Sequence, residues 1–184
     1  MLYKGSTKIG SFQLGSTKIG KLYKGSTLVY ESKLPAGQVI FESSTAGTYT
    51  VTIPKTQKYY IDLVGGGGGG HVIMSDHYTG GSAAYIKGET RLEKGDYVLI
   101  IGSGGRGGAG GHGSDGSDSS FNENIAGRGY RGKPGSGGTA TVVSSGLTGQ
   151  NGIASSTVGW INGYGAGGNG TGWGTSGYCK IVTV

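Results

Sequence analysis

Glycine recurs at every third position through long stretches of this chain. Gly104, Gly107, Gly110, Gly113 and Gly116 form one register, and Gly102, Gly105, Gly108 and Gly111 form a second, offset by one. Gly129, Gly132, Gly135 and Gly138 repeat the spacing, as do Gly146, Gly149 and Gly152. A polyproline-II-type helix has about three residues per turn, so such spacing gives it a bare edge that another backbone can approach closely. Several edges of this kind can pack as a sheaf whose amides are satisfied by one another. The alternative is a set of flexible loops over a small sandwich, because ordering glycine is entropically expensive. Both readings stand on the sequence.

With 44 glycines in 184 residues, the remaining composition excludes several classes. Three prolines and the lack of a single unbroken glycine register exclude collagen. One cysteine excludes an internal disulfide framework. No apolar run is long enough for a transmembrane helix, so membrane insertion is not expected. Helix-forming residues are too scarce for a bundle.

The apolar residues are organised instead as strands. Gln38–Glu42, Thr48–Ile53 and Lys58–Val64 are three candidates, the second stopped by Pro54 and the third by six glycines. Ala83–Lys87 is a fourth. Glu93-Lys94-Gly95-Asp96 is a turn signal before Tyr97–Ile101. Thr139–Val143 and the closing Tyr178–Val184 complete the set. No stretch has a helical period. The expected fold is all-β: a small β-sandwich framework carrying long glycine-rich excursions.

Ahead of it stand three decads, MLYKGSTKIG, SFQLGSTKIG and KLYKGSTLVY. Each holds Gly-Ser-Thr, with an apolar residue three places before the glycine (Leu2, Phe12, Leu22) and another four places after (Ile9, Ile19, Val29). Ten residues suffice for two short strands and a turn. Three such units make a poor core alone. They either complete it against other copies or a partner, or pack as a short β-meander on the rest of the chain. We divide the chain into a repeat segment, 1–34, and a glycine-rich β domain, 35–184. Residues 1–30 carry five lysines and no acid, whereas 31–184 carry eleven basic and ten acidic residues. The main domain is thus nearly neutral and lacks the basic stripe of a nucleic-acid binder. The lysines read as solvated edges or as a docking surface for an acidic partner. Met1–Gly5 shows no secretory signal.

Several motifs invite a sharper reading and fail on context. Gly65, Gly67 and Gly70 match GxGxxG after a strand, but no helix pattern follows, and six consecutive glycines match trivially. Gly110–Asp115 begins a calcium nonapeptide, but Ser117 occupies the large-apolar position and no second copy follows. Asp115 and Asp118 remain conceivable clamps for a surface cation. His71 and His77, on an expected loop, are too far apart for the usual zinc spacing. His112 is the third histidine, and Cys179 reads as a small buried residue. No cofactor and no metal are expected. No nucleophile elbow or acid–base constellation emerges, so enzymatic activity is not expected.

The aromatics in glycine-rich segments are the better lead, because an isolated large ring either packs on backbone or offers a stacking face. Trp160, between Val158 and Ile161, reads as buried. Tyr130 with its neighbour Arg131, and Tyr164 and Trp173 with their flanking glycines, are the candidate ligand-contact residues.

Thr48–Val64 running into glycines, Gly80–Ile86, Leu92–Gly105 and Gly177–Val184 together resemble the glycine-rich domain of bacteriophage tail-fibre and tail-tip proteins. The decads resemble GST-type repeats that precede such domains. The resemblance implies a virion protein at a tail or fibre tip that binds a host-surface glycan or protein. It also implies contact with other virion proteins through the repeats and a homo-oligomer, with a trimer favoured. The other expectation is a structural virion component, such as a head fibre, decoration protein or tail cap, without receptor specificity.

Overall fold

The computed structural model describes residues 3–4, 7–8, 12–14, 16–24, 26–110, 113–132 and 135–184. It divides into two units, Met1–Pro35 and Ala36–Val184.

In the first unit each decad is one antiparallel hairpin. β1 (Tyr3–Lys4) pairs with β2 (Thr7–Lys8), β3 (Phe12–Leu14) with β4 (Thr17–Ile19), and β5 (Lys21–Lys24) with β6 (Thr27–Glu31). The third hairpin carries an ion pair, Lys21 Nζ to Glu31 Oε1 at 3.5 Å. Leu2, Ile9 and the turn glycines Gly5, Gly15 and Gly25 lie outside the described residues.

The second unit is all-β apart from one 3₁₀ turn, Ile161–Gly163. In chain order its strands are β7 (Val39–Ser43), β8 (Gly47–Ile53), β9 (Gln57–Val64), β10 (His71–Ile73), β11 (Asp76–Tyr78), β12 (Tyr85–Leu92), β13 (Gly95–Ile101), β14 (Gly108–Ala109), β15 (Ser119–Phe121), β16 (Asn124–Ala126), β17 (Ala140–Thr141), β18 (Leu147–Gln150) and β19 (Tyr178–Thr183). Two five-stranded sheets, ordered β18-β12-β9-β19-β7 and β17-β16-β15-β13-β8, face each other as a sandwich. Alternation sends Tyr59, Ile61, Leu63, Ile86, Leu92, Cys179 and Ile181 inward from the first sheet. Val51, Ile53, Leu99, Ile101, Phe121 and Ala126 meet them from the second.

Three expectations shift in detail. Ala83 and Ala84 are not strand: their N–H groups donate to Gly165 O and Gly127 O, so β12 begins at Tyr85. The strand expected over Thr139–Val143 shrinks to Ala140–Thr141, because Asn124 Oδ1 accepts from the N–H groups of Val143 and Ser144 and takes them out of the ladder. Residues 71–78, expected as a loop, form the hairpin β10–β11, turning through Met74 at φ 55°.

At the end of β9 the chain passes into Gly65–Gly70, which is wholly buried. Its six N–H groups donate in rotation to three segments. Gly65 and Gly68 bond Ala84 O and Gly81 O; Gly66 and Gly69 bond Ser117 O and Ser114 O; Gly67 and Gly70 bond Thr175 O and Gly172 O. All three segments therefore run antiparallel to it. Its carbonyls accept with the same period: Gly66 and Gly69 from Gly129 and Gly132, Gly67 and Gly70 from Gly105 and Gly108, and Gly68 from Gly168. Six segments surround the hexaglycine: 80–84, 127–132, 113–117, 102–108, 172–177 and 165–168. In that order each bonds the next, through Gly81 to Tyr130, Gly116 to Gly129, Ser117 to Ser103, Gly174 to Gly105 and Thr175 to Ala166, and Gly80 to Gly168 closes the ring. The triplets within these segments are thus ordered, as a hexagonal bundle of three-residue-period helices held by backbone bonds, whereas Gly146, Gly149 and Gly152, expected in the same kind of helix, lie outside the ring, with Gly149 paired to Ile86 within β18.

Candidate functional site

In a helix of three residues per turn inside such a ring, two positions of each triplet meet neighbouring backbone and the third points outward. Segment 102–108 shows this directly. A Cβ at Gly102 or Gly105 would lie 2.0 or 2.1 Å from Ser117 O or Ser114 O, and one at Gly104 or Gly107 would lie 2.0 or 2.1 Å from Gly174 O or Thr171 O. Ser103 and Arg106, at the remaining positions, are exposed.

A second layer covers part of the ring. Residues 135–139 and 151–156 bond segments 80–84, 127–132 and 165–168, through Tyr130 N–H to Ser136 O, Ser82 N–H to Ile153 O and Gly167 N–H to Ser156 O. Among the described residues of this unit nothing comparable bonds the outer side of 113–117, 102–108 and 172–177. This open face presents outward-pointing side chains at one level. Arg131 N–H donates to Asp115 Oδ1 at 2.9 Å, Arg106 N–H donates to Ser114 Oγ at 2.8 Å, and the Arg106 guanidinium sits 5.6 Å from the centre of the Trp173 ring. Trp173 is 65% exposed. Below this stripe Arg128 holds Asp118 in a two-pronged ion pair, Nε to Oδ1 at 3.0 Å and Nη2 to Oδ2 at 2.9 Å. The guanidiniums of Arg106 and Arg131 have no carboxylate partner within ion-pair distance among the described residues.

The expected contact residues therefore separate. Arg131 and Trp173 flank the open face. Tyr130, 43% exposed, leaves the same helix as Arg131 from another side. Tyr164 lies elsewhere, stacked on Tyr178 at 4.9 Å and 4° over the outer side of the first sheet. There Trp160 packs on Tyr85 and donates from Nε1 to Ala83 O at 2.6 Å; it is half-buried. Arg106 and Ser114 were not legible as site residues and Asp115 was singled out only as a cation clamp, because only the ring closure brings Arg106 beside Trp173 and the helix of Ser114 and Asp115 beside that of Arg106.

The motifs set aside on sequence grounds now have definite places. Every N–H of Gly65–Gly70 is bonded to a protein carbonyl, so none is free to cradle a phosphate. His71 pairs with Tyr78 and His77 with Val72 across the hairpin, which puts the two imidazoles on opposite faces. His112 and Gly111 lie outside the described residues. Among the described residues no group of three or more His, Cys, Asp or Glu is assembled for a metal. Asp115 and Asp118 are engaged by Arg131 and Arg128 as described. Cys179 is in the sandwich core, where burial pushes its thiol up.

Two carboxylates in this unit titrate in opposite directions. Burial raises Asp62, on the outer side of β9, while a hydrogen bond from Tyr85 and the Lys87 and Lys180 charges partly offset this. The Arg128 side chain lowers Asp118, aided by the Arg128 N–H. The stabilising contribution of Asp118 is present above its unfolded value and lost as pH falls through its folded one. That of Asp62 is present below its unfolded value and lost as pH rises through its folded one. Urea unfolding should therefore show Asp118→Asn losing more relative to the parent at about pH 7 than at about pH 3, by ~1 kcal/mol for a partly exposed pair. Asp62→Asn should do relatively better at about pH 7 than at about pH 3. Shifts of the same sign in both variants would refute the assignment.

Compared with known proteins, the sequence has no significant match among curated proteins. A family described as a glycine-rich domain matches residues 43–180, which runs from the end of β7 into β19 and takes in every helix of the hexagonal ring. The hexaglycine, its six neighbours, the whole of the second sheet and most of the first fall inside that match, and on this basis the chain belongs to the glycine-rich domain family.

Proposed function

We propose that this chain is a non-enzymatic bacteriophage virion protein at a tail-fibre or tail tip, whose glycine bundle binds a host-surface receptor. The observation that carries the reading is the division of labour within the bundle. Folding uses the backbone and the inward glycines, so the outward positions are left to recognition. On the open face those positions hold Arg106 and Trp173, with Arg131 at its edge, a combination that folding alone does not require. The N-terminal hairpins would join other virion proteins or other copies of the chain, with a trimer favoured. Several weak sites held together would then act through avidity.

A structural virion role without receptor specificity is the second reading. It is favoured by the outer side of the second sheet, where Val98, Ile100, Ile125 and Val143 are exposed beside Thr48, Thr50 and Thr141. A face so poor in charge suits packing against another subunit.

Whole-cell binding by the purified full chain separates the two. Removing residues 160–174 would be uninformative, because it deletes one wall of the hexagon and part of another. The double variant Trp173→Ala/Arg106→Gln keeps every inward glycine. Saturable binding to host cells that falls at least about tenfold in this variant, with unfolding midpoint unchanged, is the expected outcome. A folded parent protein that binds no host cells in its native oligomeric state would favour the structural reading.

A further inference from the structure

We infer that the open face of the bundle is a binding site for an anionic saccharide, with the Trp173 indole stacked on a sugar ring and the Arg106 guanidinium on its carboxylate or phosphate. This rests on the receptor-binding reading and names the ligand class of that same face.

The surroundings of Trp173 point to sugar rather than to protein. Its chain neighbours are Thr171, Gly172, Gly174 and Thr175, and the next helix offers Ser103 and Arg106. A protein hot spot sits within a contiguous apolar core and excludes water around it. Here a single ring lies among hydroxyls, backbone and charge, with no second exposed apolar side chain on the three uncovered helices. A sugar matches that pattern, because it presents an apolar C–H face to an aromatic and hydroxyls to the rim. Ser114 and Asp115 supply the rim; both are exposed.

The charge requirement follows from Arg106. The Arg106 backbone N–H is fixed by Ser114 Oγ, its guanidinium lies 5.6 Å from the centre of the indole, and among the described residues that guanidinium has no carboxylate partner. Arg131, whose backbone N–H donates to Asp115 Oδ1, adds a second exposed guanidinium with no carboxylate partner among the described residues. The planar fork of arginine fits a carboxylate or phosphate in two-pronged fashion. The scaffold beneath is bonded at every N–H of its central strand, so little ordering is needed on binding.

The test is an array of uronate-, sialate- and phosphate-bearing oligosaccharides, each beside its carboxyl-reduced or dephosphorylated counterpart, probed with the full chain. The expected result is retention on an acidic member, at least about tenfold weaker on its neutral counterpart, and similarly weakened by Trp173→Ala and by Arg106→Gln. Arg91→Gln, an equal charge change on the first sheet, should retain the parent binding. Equal weakening by Arg91→Gln, preference for neutral members, or retention indifferent to both face variants would overturn the inference. Host-cell binding is measured in parallel. Cells bound without any acidic saccharide retained, or binding abolished by protease treatment of the cells, would overturn the saccharide while leaving host attachment standing. Acidic saccharide retained without cell binding would support the site and count against host attachment.

Discussion

Gly67→Ala should destabilise the glycine-rich domain by at least about 4 kcal/mol, or abolish its folding, although the change adds one methyl group. The added Cβ would lie 1.9 Å from Ala166 O and 2.4 Å from its carbonyl carbon. Both are backbone atoms of a ring segment, so relief requires moving a wall of the hexagon. That wall is tied on both flanks, by Thr175 N–H to Ala166 O and by Gly80 N–H to Gly168 O. Gly67 does not lie in the left-handed region, so the requirement is for room and not for conformational freedom. Gly163→Ala supplies the contrast. Gly163 has φ +83° and nothing within 4 Å of a Cβ, so its cost is the left-handed penalty alone, about 1–2 kcal/mol. Thermal unfolding compares them directly, with the melting temperature falling by on the order of 10 °C or more for Gly67→Ala and by a few degrees for Gly163→Ala. Equal losses would mean that the bundle yields, and the case for a rigid recognition scaffold would go with it.

That contrast explains what could be read from the sequence. β8, β9, β13 and β19 were legible because alternation and stop signals agree there: Pro54 ends β8, and the glycines end β9. The three-residue spacing of glycine was legible as a helical edge, but its order was not, since it depends on six segments closing around Gly65–Gly70. The reading of Tyr97–Ile101 as one apolar strand missed a distinction. Leu99 and Ile101 are in the core, whereas Val98 and Ile100 are exposed. β15, β16 and β18 carry little apolar alternation; β15 and β16 form a hairpin that turns through Asn122 and Glu123 at positive φ with no glycine to signal it, and the other pairings come from partners distant in sequence, as in Leu99 with Phe121 and Gly88 with Leu147. Tyr164 and Trp173 look alike in sequence, each between glycines. Only the fold separates them, stacking Tyr164 on Tyr178 and leaving Trp173 on the open face.

Ser119→Ala is expected to cost about 3 kcal/mol, which is large for the loss of one oxygen. Ser119 is wholly buried where the sandwich becomes the bundle. Its hydroxyl donates to Val64 O at 2.7 Å and accepts from Gly102 N–H at 2.9 Å. Val64 is the last residue of β9 and Gly102 the first after β13, so one hydroxyl joins strands of opposite sheets as both leave the two-residue period. Removing it strands a buried carbonyl and a buried N–H, each costing about 1–3 kcal/mol if left unpaired. Gly177 presses on the same oxygen, at 2.5 Å from where its Cβ would be, so water has little room to take over both bonds. Ser119→Cys should recover only part of the loss, because sulfur is a weak donor and acceptor. Native-state hydrogen exchange shows where the loss falls. If Ser119 joins the two layers, amides of Gly65–Gly70 should exchange faster in Ser119→Ala while those of β12 and β19 keep more of their protection. Uniform acceleration across both layers would mean that sandwich and bundle open as one unit, and that the hydroxyl supports the whole core and not the junction.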